Sequence, residues 1–451
     1  MSYKEVIKKY GADKIFLLGL FVLSLLLAFW IISSRKSIVL SKPVEIPETG
    51  VSVRMPEGHG WGFEQVWGNN EDSLVLNSIY QPGSKSALID ANCIYRLASF
   101  RESGHQWLAG LGVDVNEIEY GNIQIIDGQL EWANIRDGEN EAGMLAATMP
   151  LENGRWLDLE ILYVGWEEQL AKDALNKIAS SIVVEKNDLL EKGITAVNRI
   201  KATGLNEMLS EHSEPDCYLI KDSNRRNVGY AVEAVLKQVN GDSNETYAAS
   251  FAYLTSPYLW ESASMFKSHS NLSEYLWESQ TERRRTAIIR KGNLPIQGPT
   301  EIVRTHTTLT AGEGGALTVN RLKNESVQFK TRLSDAAVPG AVGEAVYIEM
   351  INSGVEKLIV DVVFENGKVV PTVVTVQKDE PVGYIVKMKY LGSNDEEETH
   401  LDDNMRVTKK ILRQNIVLTL EPVETEELVR LFPERADFIL QRIATMQQGK
   451  L

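Results

Sequence analysis

The chain has 451 residues, of which 43% are hydrophobic, 24% charged and 8% aromatic, and these fractions exclude whole-chain disorder, collagen-like repeats and a polytopic membrane protein. At roughly 150 residues per domain, the length predicts two or three domains. The 47 basic and 62 acidic residues give a net charge of −15. A field of that sign repels phosphate polymers, so we expect no nucleic-acid partner.

The first predicted element is a transmembrane anchor at residues 15–34. Residues 15–32 are apolar except for Gly19 and Ser24, and about 18 residues at about 1.5 Å each match the thickness of a bilayer core. No Ala-x-Ala cleavage site follows, which argues against a cleaved signal peptide, and no polar stripe interrupts the run, which argues against a buried core helix. The sequence therefore predicts a single-pass signal anchor.

The charges that flank this segment predict its orientation. Four lysines precede it and three basic residues follow it, namely Lys4, Lys8, Lys9 and Lys14, then Arg35, Lys36 and Lys42. The positive-inside rule then makes residues 1–14 a cytoplasmic tail. The bulk of the chain is predicted to be extracytoplasmic, in the cell envelope, with the membrane as one partner.

The next predicted unit covers residues 47–185. Two hairpin signals, Asp127-Gly128 and Asn153-Gly154, each separate strand-like segments. A helix predicted at residues 167–183 follows, with Leu170, Leu175 and Ile178 on one apolar stripe. An antiparallel sheet covered by an amphipathic helix is an α+β sandwich, and we expect this unit to fold alone.

Residues 47–185 resemble a known family. Near the start of this unit, Pro-Glu-Gly-His-Gly-Trp at 56–61 follows an alternating strand. The last helix of the unit ends in Lys-Ile-Ala-Ser-Ser-Ile at 177–182. This order of elements is similar to the PsbP-like domain of photosystem II extrinsic subunits and related bacterial envelope proteins. The resemblance implies a non-enzymatic accessory or assembly protein, and it assigns no functional residue.

The remaining chain is predicted as a helical connector at 187–210 and a larger β-rich α+β domain at 215–447. Within that domain the clearest hairpin signal is Asn366-Gly367, between strand patterns at 358–364 and 369–376. A final helix is predicted at 432–446. A long curved sheet with a helix against it resembles the half-barrel of lipoprotein carriers. The predicted fold class of the whole protein is therefore α+β, after one N-terminal transmembrane helix.

Few residues point to chemistry. The two cysteines, Cys93 and Cys217, lie far apart, and whether they pair stays open. The six histidines form no HxH, HxxxH or HExxH pair, and no nucleophile or phosphate-loop motif occurs. The acidic run at 395–403 could bind Ca²⁺, but it lacks an alternating Asp loop, so a solvated loop is favoured. We predict no catalytic, metal or cofactor-binding residues.

Two groups of residues are candidates for contact with a partner. The basic cluster Arg283, Arg284 and Arg285, with Arg290 and Lys291 nearby, could contact a protein partner, a nucleic acid or a phospholipid head group. Strand alternation sends successive residues to opposite faces and Glu282 neutralises part of the cluster, so a charged sheet face is the favoured alternative. Trp61 and Trp67 lie in a glycine-rich stretch, although most tryptophans of this unit are expected in the core.

These observations favour a membrane-anchored, non-enzymatic protein that binds or organises a protein partner in the cell envelope. One alternative is a carrier or sensor for an apolar ligand held in the concave face of the second domain, which requires an apolar cavity of several hundred Å³. Another is an envelope hydrolase whose site is assembled from distant residues, which requires buried titratable groups in a cleft.

Overall fold

The fold is mostly β. A computed structural model describes residues 12–35, 38–64, 73–83, 86–98, 100–112, 117–126, 128–137, 142–209, 214–240, 243–256, 259–291, 294–323, 326–379 and 383–447. Strands make up 53% of these residues, and the two largest sheets have fifteen and seven strands. The predicted α+β class is therefore wrong, because many segments between the predicted strands also pair in sheets.

The apolar N-terminal segment forms helix α1 (Ala12–Arg35). Its described side chains run from Phe16 to Leu27 and are exposed. In the part of the chain that is described, no helix has the length and apolarity needed to cross a membrane. This finding contradicts the predicted single-pass anchor, the membrane as a partner, and the predicted localisation that depends on them.

The first part of the chain is built on a seven-stranded antiparallel sheet, in the order β5-β6-β7-β11-β10-β9-β8, with two small sheets beside it. Its strands are β1 (Val39–Leu40), β2 (Val44–Ile46), β3 (Val51–Val53), β4 (Pro56–Glu57), β5 (Trp61–Glu64), β6 (Ser73–Tyr80), β7 (Ile89–Leu97), β8 (Glu117–Ile125), β9 (Gly128–Asp137), β10 (Ala142–Pro150), β11 (Arg155–Val164) and β12 (Val183–Val184). Its helices are α2 (Gly104–Leu111) and α3 (Glu168–Ser180).

Local sequence signals explain this sheet well. Both predicted hairpins form, as β8–β9 and β10–β11. Asn153 and Gly154 have φ values of 56° and 72°, the left-handed backbone that an Asn-Gly turn adopts readily. The predicted helix is confirmed as α3, which buries Leu170, Leu175 and Ile178. Helix α2 packs on the opposite face, where Leu108 contacts a cluster that includes Ala133.

The second part is a single fifteen-stranded sheet, in the order β20-β19-β18-β17-β16-β15-β14-β13-β27-β26-β25-β24-β23-β22-β21. Its strands are β13 (Asp216–Lys221), β14 (Asn227–Asn240), β15 (Ser243–Leu254), β16 (Leu259–His269), β17 (Tyr275–Lys291), β18 (Leu294–Ala311), β19 (Ala316–Leu322), β20 (Ser326–Arg332), β21 (Ala337–Pro339), β22 (Lys357–Val363), β23 (Val369–Asp379), β24 (Gly383–Tyr390), β25 (Glu396–Leu401), β26 (Val407–Arg413) and β27 (Val417–Val423). Its helices are α4 (Asp188–Thr203), α5 (Leu205–Met208), α6 (Glu344–Ser353), α7 (Thr425–Leu431) and α8 (Ala436–Gln447).

Helices and a turn of the chain itself pack against the concave face of this sheet. One apolar cluster joins α4, α5 and α6 to strands from both halves of the sheet. The residues predicted as a connector thus pack as α4 against β22, where Gly193 lies against the carbonyl of Ile359. The predicted hairpin at Asn366-Gly367 is confirmed, and its turn reaches Val319 of β19. On the other face, α7 and α8 cover β13 to β15.

One hydrophobic cluster extends across both parts. The cluster beneath the seven-stranded sheet also contains Ile359 and Val373 of the large sheet. A buried ion pair crosses the same boundary, because Arg155 Nη2 lies 2.6 Å from Asp361 Oδ1 and the two side chains are 2% and 0% exposed. Ser334 donates a hydrogen bond to the second carboxylate oxygen of Asp361. Packing and charge therefore both couple the first part to the second.

Candidate functional site

Charge is distributed unevenly along the chain. Residues 283–332 contain ten Lys or Arg and three Asp or Glu, a net charge of +7, whereas the whole chain carries −15. The rest of the chain therefore carries −22. We call residues 283–332 the basic end. They comprise the later part of β17 and all of β18, β19 and β20, at one end of the fifteen-stranded sheet.

Strands β17 and β18 extend beyond their neighbours as a two-stranded arm. Strand β16 pairs with β17 only as far as Arg284, and β19 pairs with β18 only from His306 onward. Among the described residues, 285–291 pair only with β18. At about 3.4 Å per residue they extend about 24 Å. A two-stranded ribbon is marginally stable in water on its own, so contact with another surface would stabilise this arm.

At the base of the arm, one carboxylate lies between two arginines. The guanidinium Nε atoms of Arg284 and Arg304 lie 2.6 and 2.7 Å from the two oxygens of Glu282. Hydrogen bonds from Arg304 and Arg284 hold the pKa of Glu282 below its usual value, so it stays ionised. Arg304 is still 74% exposed. Two positive charges against one negative leave this group cationic and accessible.

The edge of the sheet carries further basic side chains. Lys323, Lys330 and Arg332 are exposed. Arg321 instead donates a hydrogen bond to the carbonyl of Asn366, in the turn between β22 and β23. This contact ties β19 to the opposite half of the sheet, so the edge strands are held in place while their charges face solvent.

The predicted contact residues occupy different environments. Arg283 and Arg284 are exposed in β17, and the backbone of Arg285 continues that strand. Trp61 is 5% exposed and packs on Tyr80 with 5.1 Å between ring centroids, which leaves it little surface for a partner. Trp67 lies outside the described residues.

The sequence pattern indicates only part of the basic end. The predicted cluster, Arg283 to Arg285 with Arg290 and Lys291, lies in one short stretch. Arg304, Lys323, Lys330 and Arg332 are separated along the chain and come together only when β17 to β20 pair. The net charge of a long sequence window would have revealed them, because 283–332 is strongly positive in a negative chain.

A second charged group lies on the concave face. Lys410 Nζ is 2.6 Å from Glu233 Oε2 and 5.0 Å from the ring centroid of Tyr218. Burial, together with the nearby Glu233, raises the pKa of Glu397, although Lys410 opposes this shift, and Tyr390 donates it a 3.4 Å hydrogen bond. These groups satisfy one another, and such networks shift pKa values without serving catalysis.

Residues 396–401 of the acidic run form strand β25, although the sequence favours a solvated loop over 395–403, and Asp403 lies in the turn that follows. Glu396 and Glu398 of β25 both pair with Arg413 of β26 at 3.1 Å, and Glu398 also lies 2.8 Å from His400. Cross-strand partners of opposite charge therefore allow this run to pair in the sheet. Cys93 and Cys217 are both buried and free.

Nothing among the described residues indicates catalysis. They include no group of three or more His, Cys, Asp or Glu that could hold a metal ion. A shallow cleft of about 370 Å³ lies between the small sheets and α3, lined by Leu40, Arg54 and Ser181 among others. Arg54 is the one titratable residue that lines this cleft, so it offers no acid–base pair.

We compared the chain with known families, curated proteins and solved structures. No protein-family model matches the chain, and no curated protein matches it. One solved structure that resembles part of the chain is the crystal structure of a beta-barrel-like protein of domain of unknown function DUF1849 from Brucella abortus. It has 12% sequence identity and a TM-score of 0.33, over 48% of this chain and 98% of that one. At this TM-score the likeness carries no argument about fold or function, and the resemblance of residues 47–185 to PsbP-like domains stays a prediction.

Proposed function

We propose that this protein is a non-enzymatic binding protein whose basic end receives an acidic protein partner. The observation that carries the proposal is the segregation of charge, with +7 on residues 283–332 and −22 on the rest of the chain. Complementary charge increases the rate of encounter and selects among partners.

A protein partner fits this site better than a nucleic acid. Val327 and Phe329 are 52% and 39% exposed beside the basic side chains of β20, and apolar contacts of this kind suit a polypeptide. Glu282 interrupts the arginines at the base of the arm. The −22 on the rest of the chain would repel a long phosphate polymer that extended past the basic end.

The carrier hypothesis has less support. It requires an apolar cavity inside the curved sheet, but α4, α5, α6 and the turn at Asn366-Gly367 pack against the concave face. An apolar ligand would have to displace these elements.

The proposal can be tested with a defined acidic probe. We would measure fluorescence anisotropy of a labelled seven-residue peptide of alternating Glu and Val, the length of β20, with the full chain from about 50 to about 300 mM salt. We expect binding that weakens with salt. Reversal of three exposed charges, Lys323→Glu, Lys330→Glu and Arg332→Glu together, should weaken it by about 10- to 100-fold, since each exposed contact contributes about 0.5–1 kcal/mol.

The matched control is Lys192→Glu, an exposed lysine of α4 outside the basic end, which should leave the affinity unchanged. A single-stranded DNA oligonucleotide serves as the competing ligand. The proposal fails if the peptide does not bind, if the triple variant binds it as well as the native chain does, or if the DNA binds more tightly than the peptide.

A further inference from the structure

Strand β20 has one unpaired edge. It pairs with β19 through Ser326–Leu322 to Arg332–Ala316, and Leu333 N donates to Gly315 O at 2.7 Å. In an antiparallel ladder, bonded pairs alternate with pairs whose N–H and C=O groups point away. Leu333 belongs to a bonded pair, so every second residue before it points its backbone N–H and C=O groups toward β19. The residues between them point these groups away from β19, and they are Ser326, Gln328, Lys330 and Arg332.

Within the described part of the chain, no backbone hydrogen bond reaches this free side of β20. The opposite edge of the sheet is unlike it, because β21 has three buried residues and ends at Pro339. The edge strand β8 of the smaller sheet is acidic, and its Glu119 already pairs with Lys172 at 3.0 Å. Strand β20 is therefore an exposed edge strand with a positive charge.

The side chains of β20 specify what could pair with it. Val327 and Phe329 lie on one face, and Gln328, Lys330 and Arg332 lie on the other, since successive strand residues alternate. A strand that adds here places its own residues directly opposite these, so it needs apolar residues on the first face and acidic residues on the second. A second copy of β20 would oppose like charges, because a lysine on an edge strand discourages self-pairing.

We infer that β20 takes up an extended segment of the partner as an additional antiparallel strand, and that this segment alternates acidic and apolar residues. The inference rests on the proposed function and names its mode of recognition, which is strand addition. The antiparallel direction follows the pairings from β13 to β20, all of which are antiparallel.

Directional N-methylation of the Glu/Val peptide tests this pairing with the full chain. A peptide residue opposite Lys330 or Arg332 forms a bonded pair with it, so its side chain lies on the same face and its N–H points toward β20. The basic face places the glutamates at these positions, and the glutamate amides should therefore form the new hydrogen bonds. N-methylation of the glutamate amides should weaken binding by about tenfold or more, because several hydrogen bonds are lost. N-methylation of the valine amides, with the same composition and charge, should be tolerated.

A substitution in the protein tests the same edge from the other side. Gln328→Pro removes an outward N–H that makes no bond in β20, so the sheet should remain folded, while peptide binding falls by about tenfold. Gln328→Ala, which keeps the N–H, should bind normally. Binding that depends on charge but is equal for both methylated peptides and both variants would overturn strand addition and leave the proposed function standing. Failure of the native chain to bind the unmethylated peptide would overturn both.

Discussion

The buried ion pair between Arg155 and Asp361 offers a direct test of how the two parts are joined. Asp361→Asn preserves the shape of the side chain and removes its charge, so the guanidinium of Arg155, which is 2% exposed, is left without its counter-ion. Breaking a buried pair in this way costs about 3–5 kcal/mol. The loss is large beside a typical free energy of unfolding of about 5–15 kcal/mol.

Urea titration, followed by tryptophan fluorescence, measures this loss. The matched control is Glu48→Gln, because Glu48 pairs with Lys357 across the same boundary at 2.7 Å but both side chains are more than a third exposed. That substitution should cost less than about 1 kcal/mol. Replacing both buried partners, Arg155→Met with Asp361→Leu, should cost less than Asp361→Asn alone. Equal losses for Asp361→Asn and Glu48→Gln would refute the idea that the two parts close over this pair.

Three further predictions concern packing and burial. Ile178→Ala in α3 removes a side chain that is 1% exposed and should lower the free energy of unfolding by about 2–4 kcal/mol in urea titration; a loss near zero would place the α3 stripe away from the sheet. Gly193→Ala would put a methyl group 1.7 Å from the carbonyl oxygen of Ile359 and should destabilise the fold. Its control is Gly110→Ala in α2, where the space is open, which should stabilise the fold by about 0.5–1 kcal/mol. A higher free energy of unfolding for both variants in urea titration would contradict the close packing of α4. Burial in the folded chain raises the pKa of Glu397 above its ordinary value of 4.5, so ionisation of this carboxyl lowers the stability of the protein as the pH rises above that value. Glu397→Gln should therefore stabilise the protein more at about pH 7 than at about pH 4 in thermal unfolding, and the opposite pH dependence would contradict the burial of Glu397.

The parts of the fold that the sequence predicts are those set by neighbouring residues. The Asn153-Gly154 and Asn366-Gly367 turns need only a left-handed backbone at two positions, and the stripe of α3 needs only helical spacing. Both are properties of short segments, so they can be recognised without knowing what packs against them.

Long-range features were not predictable in the same way. Arg155 and Asp361 are 206 residues apart, and no local sequence pattern indicates that they form a buried ion pair. The acidic run is typical of a loop, because its compensating partner, Arg413, lies on another strand. Most of the basic end beyond β17 is hidden from a local pattern for the same reason, since its exposed charges come from separate strands of the sheet.

The most direct test of binding at the basic end is a hydrogen-exchange map of the full chain with and without the acidic Glu/Val peptide. Strand addition at β20 predicts that the peptide protects only β17–β20, most strongly at the backbone amides of Gln328 and Lys330. Exchange at Val327 and Phe329 should not change, because their amides already face β19. Protection centred elsewhere, such as the cleft beside Arg54, or no protection at saturating peptide, would contradict the claim that the basic end is the binding surface.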